Sequence, residues 1–274
     1  MSAGAIGLVL VSAALHAYWN TLVAGARDTH ATTAVALVAA TAVFAPLAIV
    51  TWDVDAAALP YIAGSALLQL GYFVLLAAAY ARADLTFVYP IARGVAPVLV
   101  LAASVAVLGA SLSAGEIAGV LAVTGGVLAV RGIGPNAAGG GLGLALAVAG
   151  TIAAYTLVDD RGVQHAAAIA YLEAMLVLVA IPYVAGVAAT RGREALRAAV
   201  TRRSVLAGVA MFGAYALVLA ALEVAEAAPV AALRETSVVM ATAAAAFMAR
   251  ERVPPRRLAG AVVVVAGIAA IALG

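Results

Sequence analysis

The chain has 274 residues, 66% of them hydrophobic and 10% charged, with a net charge of +2 and a mean hydropathy of +1.14. A soluble domain carries roughly 25% charged residues, so this chain has too little polar surface for a water-soluble globule, and lipid is its solvent. The charge balance offers no basic patch for nucleic acid, and the absence of cysteine excludes disulfides, zinc thiolates and thiol catalysis.

Lipid admits only helices and closed barrels. The apolar runs are long and continuous, about 17 to 25 residues, which is the length of a membrane-spanning helix; the short alternating segments of a barrel are missing. In chain order they predict ten transmembrane helices, over 3–25, 31–51, 58–80, 84–108, 115–131, 141–158, 166–188, 204–224, 228–249 and 257–273. The first lacks a basic n-region and is long for a signal peptide, so it reads as a helix of the mature protein. Pro60 opens helix 3 and Pro254-Pro255 precede helix 10, as proline does at helix starts. Gly132 to Gly141 (GIGPNAAGGG) is a flexible Gly-rich linker. It divides the chain into a first five-helix repeat, 1–131, and a second, 142–274. The longest polar connection runs from Arg191 to Arg203.

The two halves echo each other. Arg93 and Arg234 each follow a short polar turn into an apolar helix, and they stand 141 positions apart. The same offset carries Gly119 onto Gly260 and Gly126 onto Gly267. Five helices per copy force the copies to insert in opposite directions, so the expected fold is an all-α integral membrane protein, a 5+5 inverted-topology repeat. Many secondary transporters are built this way.

All fifteen basic residues are arginine. Twelve of them (27, 82, 131, 191, 193, 197, 202, 203, 250, 252, 256 and 257) fall on one side of the predicted bundle, and Arg161 alone on the other. The positive-inside rule makes the arginine-rich side cytoplasmic and puts both termini on the non-cytoplasmic side.

The two remaining arginines lie inside apolar spans. Arg93 is about nine residues into helix 4, roughly 14 Å deep in a core about 30 Å thick. Arg234 enters from the opposite face. An intramembrane charge costs about 2.5–3.5 kcal/mol on the permissive insertion scale and persists only when paired or lining a wet cavity. One reading has both arginines meeting an anionic substrate group; the other locks each into a structural ion pair. The carboxylates in apolar runs are Glu173 and Glu235, candidates for proton coupling or for counter-ions. Glu235 points about 100° away from Arg234 on a helix, which leaves it to another partner such as Arg93 or a proton. Asp159 and Asp160 read as a solvated helix end. His16 and Asn20 share one face of helix 1 with Trp19 beside it. Tyr89 lies four residues before Arg93, and Gln69, Tyr72, Tyr155 and Tyr215 are further cavity candidates. Trp52 and Tyr61 are assigned to the interfacial belt. No zinc-protease pair, P-loop or Gly-x-Ser-x-Gly motif occurs, so an enzyme is not expected, nor a cofactor or metal.

These residues resemble the EamA family of the drug/metabolite transporter superfamily. The resemblance rests on HAYWNTLV in helix 1, AYARADLTFVYPIARGVAPVLV across helices 3 and 4, AAYTLVDD in helix 6, and ALEVAEAAPVAALRETSVVMATAAAAFMARERVPPRRLAG from helix 8 into helix 10. The last looks like the family's recurrent apolar helix ending in an acidic-basic pair. The first copy departs from it, reading VLGASLSAGE, with Glu116 displaced into the next helix start. The resemblance implies a central cavity surrounded by helices 1, 3, 4, 6, 8 and 9, with helices 2 and 7 lateral and 5 and 10 at the back. It implies export or exchange of a small polar solute, such as an amino acid or other carboxylate-bearing metabolite, across a prokaryotic inner membrane. Proton coupling and a monomer or homodimer in lipid complete the expectation. The competing class is a non-transporting scaffold or lipid-handling subunit with both arginines in closed ion pairs.

Overall fold

A computed structural model describes residues 1–80, 85–132, 141–249 and 254–274. The linker residues 133–140 and the arginines at 82, 250 and 252 lie outside the described residues, as does the side chain of Arg131. The described elements are α1 (Ala3–Ala24), α2 (Thr29–Val50), α3 (Leu59–Tyr80), α4 (Leu85–Ala106), α5 (Ala114–Arg131), α6 (Gly141–Gly162), α7 (Ala168–Ala198), α8 (Arg202–Leu222), α9 (Ala227–Arg234), α10 (Thr236–Ala249) and α11 (Pro255–Leu273). Among the described residues, eight helices are long and apolar enough to cross a membrane, and α5 is a shorter apolar helix. A 22-residue helix such as α1 is about 33 Å long, enough for the hydrocarbon core. The protein is an all-α integral membrane protein.

Local chemistry sets the helix ends. Ser113 caps α5 and receives Glu116 in return, a reciprocal capping box that satisfies two orphan amides; Thr201 and Ser204 do the same for α8. Thus Glu116, displaced relative to the family pattern, serves here as a cap. Asp28 caps α2 by accepting from Ala31 N–H at 3.0 Å.

Three expectations need correction. The predicted helix 9 is two segments, α9 and α10, parted at Glu235. The Glu235 amide bonds back three residues, to Ala232, and the Thr236 hydroxyl takes the Leu233 carbonyl at 2.7 Å; such side-chain capture of a carbonyl competes with helix continuation. The polar connection 191–203 is largely helical. It continues α7 past a bend at Gly192, whose φ of 81° suits glycine. Helix α6 runs one turn beyond its predicted end at 158 and carries Asp159 inside it.

Helix α1 packs on α8, α3 and α4 pack on α6, α2 packs on α7 and α8, and α5 packs closely on α11. In the last pair, a Cβ on Gly126 would stand 2.7 Å from the Gly260 carbonyl oxygen, and one on Gly119 would stand 2.7 Å from that of Gly267. Backbone atoms stand in the way there beside the Ile271 and Val264 side chains, so a side-chain shift alone cannot make room. Gly126→Ala should therefore lower stability by about 1–3 kcal/mol, as overpacking does. The neighbouring Gly125, with nothing within 4 Å of its would-be Cβ, should tolerate alanine within about 0.5 kcal/mol. Thermal unfolding of the two variants in detergent checks the contrast.

The ends of the bundle differ. On one side Arg203 donates to the Thr21 carbonyl at 3.1 Å, joining the α1–α2 and α7–α8 ends. On the other, two connections pair by backbone. Asp55 N–H donates to His165 O at 2.9 Å, and Ala167 N–H to Asp53 O at 2.8 Å.

Candidate functional site

A cavity of about 500 Å³ enters the bundle from the side of the α1–α2 connection. Thr29 and His30, both exposed, line its mouth. All ten candidate residues line this one cavity: His16, Trp19 and Asn20 from α1, Gln69 and Tyr72 from α3, Tyr89 and Arg93 from α4, Tyr155 from α6, Tyr215 from α8 and Arg234 from α9. Binding pockets commonly span about 300–1,000 Å³, so the space suits a small organic molecule.

The two arginines differ in state. Arg93, 5% exposed, donates from Nε to Glu235 Oε2 at 3.0 Å. Its Nη2 stands 3.0 Å from Glu235 Oε1 yet makes no hydrogen bond, the alignment being poor. Glu235 is thus the counter-ion of Arg93, brought there by the tightened turn between α9 and α10. Arg234, 8% exposed, has no ion-pair partner among the described residues. Its guanidinium carbon lies 5.0 Å from the centre of the Tyr215 ring, a cation–π contact. Of the two cations, only Arg93 has a carboxylate in direct contact among the described residues.

Polar side chains around this pair are held by near neighbours. Asn20 donates to the His16 carbonyl at 2.7 Å, and the His16 ring meets Trp19 edge-on at 5.1 Å. Gln69 donates to Ser65 Oγ at 3.3 Å. Tyr155 and Tyr215 make an edge contact at 6.4 Å.

Helices α2 and α7 are not lateral to the cavity. Thr33 and Leu37 of α2 and Leu176, Val179 and Tyr183 of α7 line it, and Tyr183 hydroxyl meets His30 Nδ1 at 3.1 Å. These residues make part of the wall apolar, together with Phe73, Leu76 and Met211. Glu173 lies outside the lining. It is buried, its Oε2 makes no hydrogen bond, and among the described residues no cation reaches it. A counter-ion role for Glu173 therefore lacks a partner.

Asp159 is not a solvated helix end. It is 0% exposed and accepts a hydrogen bond from Tyr171 hydroxyl at 2.8 Å and another from Tyr215 hydroxyl. Tyr215→Phe keeps the ring beneath Arg234 but removes one donor from this carboxylate. A buried acceptor left short costs about 1–3 kcal/mol, to be read as a lowered unfolding midpoint in detergent.

The EamA-like transporter family model matches residues 139–273. No curated protein matches the chain. Among solved structures, a chain described as "Crystal structure of protein" is 17% identical, with a TM-score of 0.79 over all of this chain and 98% of its own length. At that identity the likeness concerns the fold.

Proposed function

We propose that this chain, which matches the EamA-like transporter family model over residues 139–273, is a secondary carrier of a small organic solute bearing a carboxylate. The family match supports a membrane transporter; the solute and the mechanism are our reading. The observation that carries it is Arg234, a buried cation without an ion-pair partner among the described residues, facing a cavity of about 500 Å³. A carboxylate supplies the missing partner, and the guanidinium fork suits it. The apolar wall from α2 and α7 leaves room for a hydrocarbon or aromatic body beside the charge.

Alternating access is supported by the repeat. Under the 141-residue offset, the packing of α1 on α8 becomes that of α6 on α3, and the Gly119–Gly267 contact becomes Gly260–Gly126. A pseudo-two-fold relation of two five-helix copies produces such exchanges, and α9 with α10 then count as one span of ten. Rocking of one copy against the other about the arginine pair exposes the same cavity to each side. The arginine distribution supports a cytoplasmic side for the open mouth, with both termini outside, and the resemblance implies a prokaryotic inner membrane.

The test is uptake into proteoliposomes of labelled amino acids, organic acids and amines. The expected result is saturable movement of at least one carboxylate and none of the simple amines. Movement of amines alone would remove Arg234 from solute recognition.

A further inference from the structure

We propose that Asp159 is a proton-binding site that clasps the far end of the cavity shut, and that its protonation loosens the clasp. The proposal rests on the carrier reading above.

Asp159 lies beyond the cavity floor, outside the lining, with no exposed surface. The groups that face it come from four neighbouring helices. Ser65 of α3 lies beside it, Tyr171 of α7 and Tyr215 of α8 donate to its two oxygens, and Arg234 of α9 stands behind the Tyr215 ring. On its own helix, Tyr155 touches Tyr215, while Asp160 and Arg161 follow it in the chain. No cation lies within 4 Å of its carboxylate among the described residues. The cluster is closely packed: a Cβ on Gly162 would run into the Tyr171 ring. There is no space for a solute. A hard metal cation takes about six or more oxygen ligands, and no group of three or more His, Cys, Asp or Glu side chains gathers here among the described residues. A proton is the ligand that fits.

The consequence is mechanical. Two O–H donors on an ionised carboxylate make charge-assisted bonds, about twice as strong as neutral ones. They tie α6 to α7 and α8, next to the backbone pairing of residues 53–55 with 165–167 that seals this end. A bound proton removes the charge and converts one acceptor oxygen into a donor, so the two tyrosines no longer both donate to a carboxylate. The far end can then part. When it closes, the tyrosines take back both oxygens and the proton leaves to cavity water. Tyr215 also carries Arg234 on its ring, so the state of Asp159 reaches the solute-binding cation through one side chain.

Infrared difference spectra of the purified protein, recorded as the pH is stepped, read the site without any solute. The expected result is a buried carboxylic acid C=O band that appears in the wild type and is lost in Asp159→Asn. Tyr171→Phe, which keeps the carboxyl, changes the pH at which the band appears. A band that persists unchanged in Asp159→Asn, or a Tyr171→Phe titration identical to the wild type, overturns the site. In proteoliposomes, an imposed pH gradient should change the wild-type initial rate for the labelled carboxylates at least about threefold and leave the Asp159→Asn rate unchanged. A variant that still answers the gradient overturns the coupling. If no panel solute moves in the wild type, the carrier reading fails, while the infrared result still decides whether Asp159 binds a proton.

Discussion

Arg234→Ala slows carboxylate uptake by about 30-fold or more. Truncating one partner of a buried, hydrogen-bonded charge pair costs about 2–5 kcal/mol, and each 1.4 kcal/mol is about tenfold. The cation is already desolvated and poised. It is 8% exposed, rests on the Tyr215 ring and has no carboxylate partner among the described residues, so little of the solute's interaction is offset by breaking an existing ion pair. Arg234→Lys keeps the charge but loses the planar fork, and recovers uptake only in part. Initial rates over a range of solute concentrations separate this from misfolding, because a binding defect raises KM in a population that still unfolds cooperatively. Equal uptake by wild type and Arg234→Ala removes the residue from the transport path.

The second large effect is on stability. Glu235→Ala strips Arg93 of its counter-ion inside the membrane. Removing one partner of a buried ion pair costs about 3–5 kcal/mol, and the position of Arg93 on the cavity wall places the loss in the lower part of that range. Replacing both partners, Arg93→Met with Glu235→Met, relieves the unpaired charge, so the double variant should be more stable than Glu235→Ala. Denaturation in mild detergent measures both. If Glu235→Ala unfolds like the wild type, the Arg93–Glu235 pair is not a fixture of the bundle.

The sequence made part of this site legible through cost. An arginine deep in an apolar run must be compensated, which marks Arg93 and Arg234 in the sequence alone. The helical angle between Arg234 and Glu235 left the carboxylate for another partner, and Arg93 holds it. The lining by α2 and α7 was not legible. In lipid a helix is apolar on every side, so Leu37, Leu176 and Val179 carry no mark that separates a cavity wall from a lipid-facing surface. Asp159 was misread for a different reason. An Asp-Asp-Arg run at the end of a span looks solvated, but α6 continues a turn further and the first aspartate points into a tyrosine pair contributed by α7 and α8. Its partners Tyr171 and Tyr215 are 12 and 56 residues away, and no local pattern announces them. The break at Glu235 was hidden as well, because its cause is a shortened hydrogen-bond register within an otherwise apolar stretch.

Counterflow tests the central claim most directly. Proteoliposomes preloaded with an unlabelled carboxylate are diluted into a trace of the same solute in labelled form. A carrier that presents one cavity alternately to each side should draw label inward to a transient accumulation above equilibrium, saturably and with loss of the effect in Arg234→Ala. Label that only equilibrates, linearly with concentration and at the same rate without preloading, would contradict alternating access at this cavity.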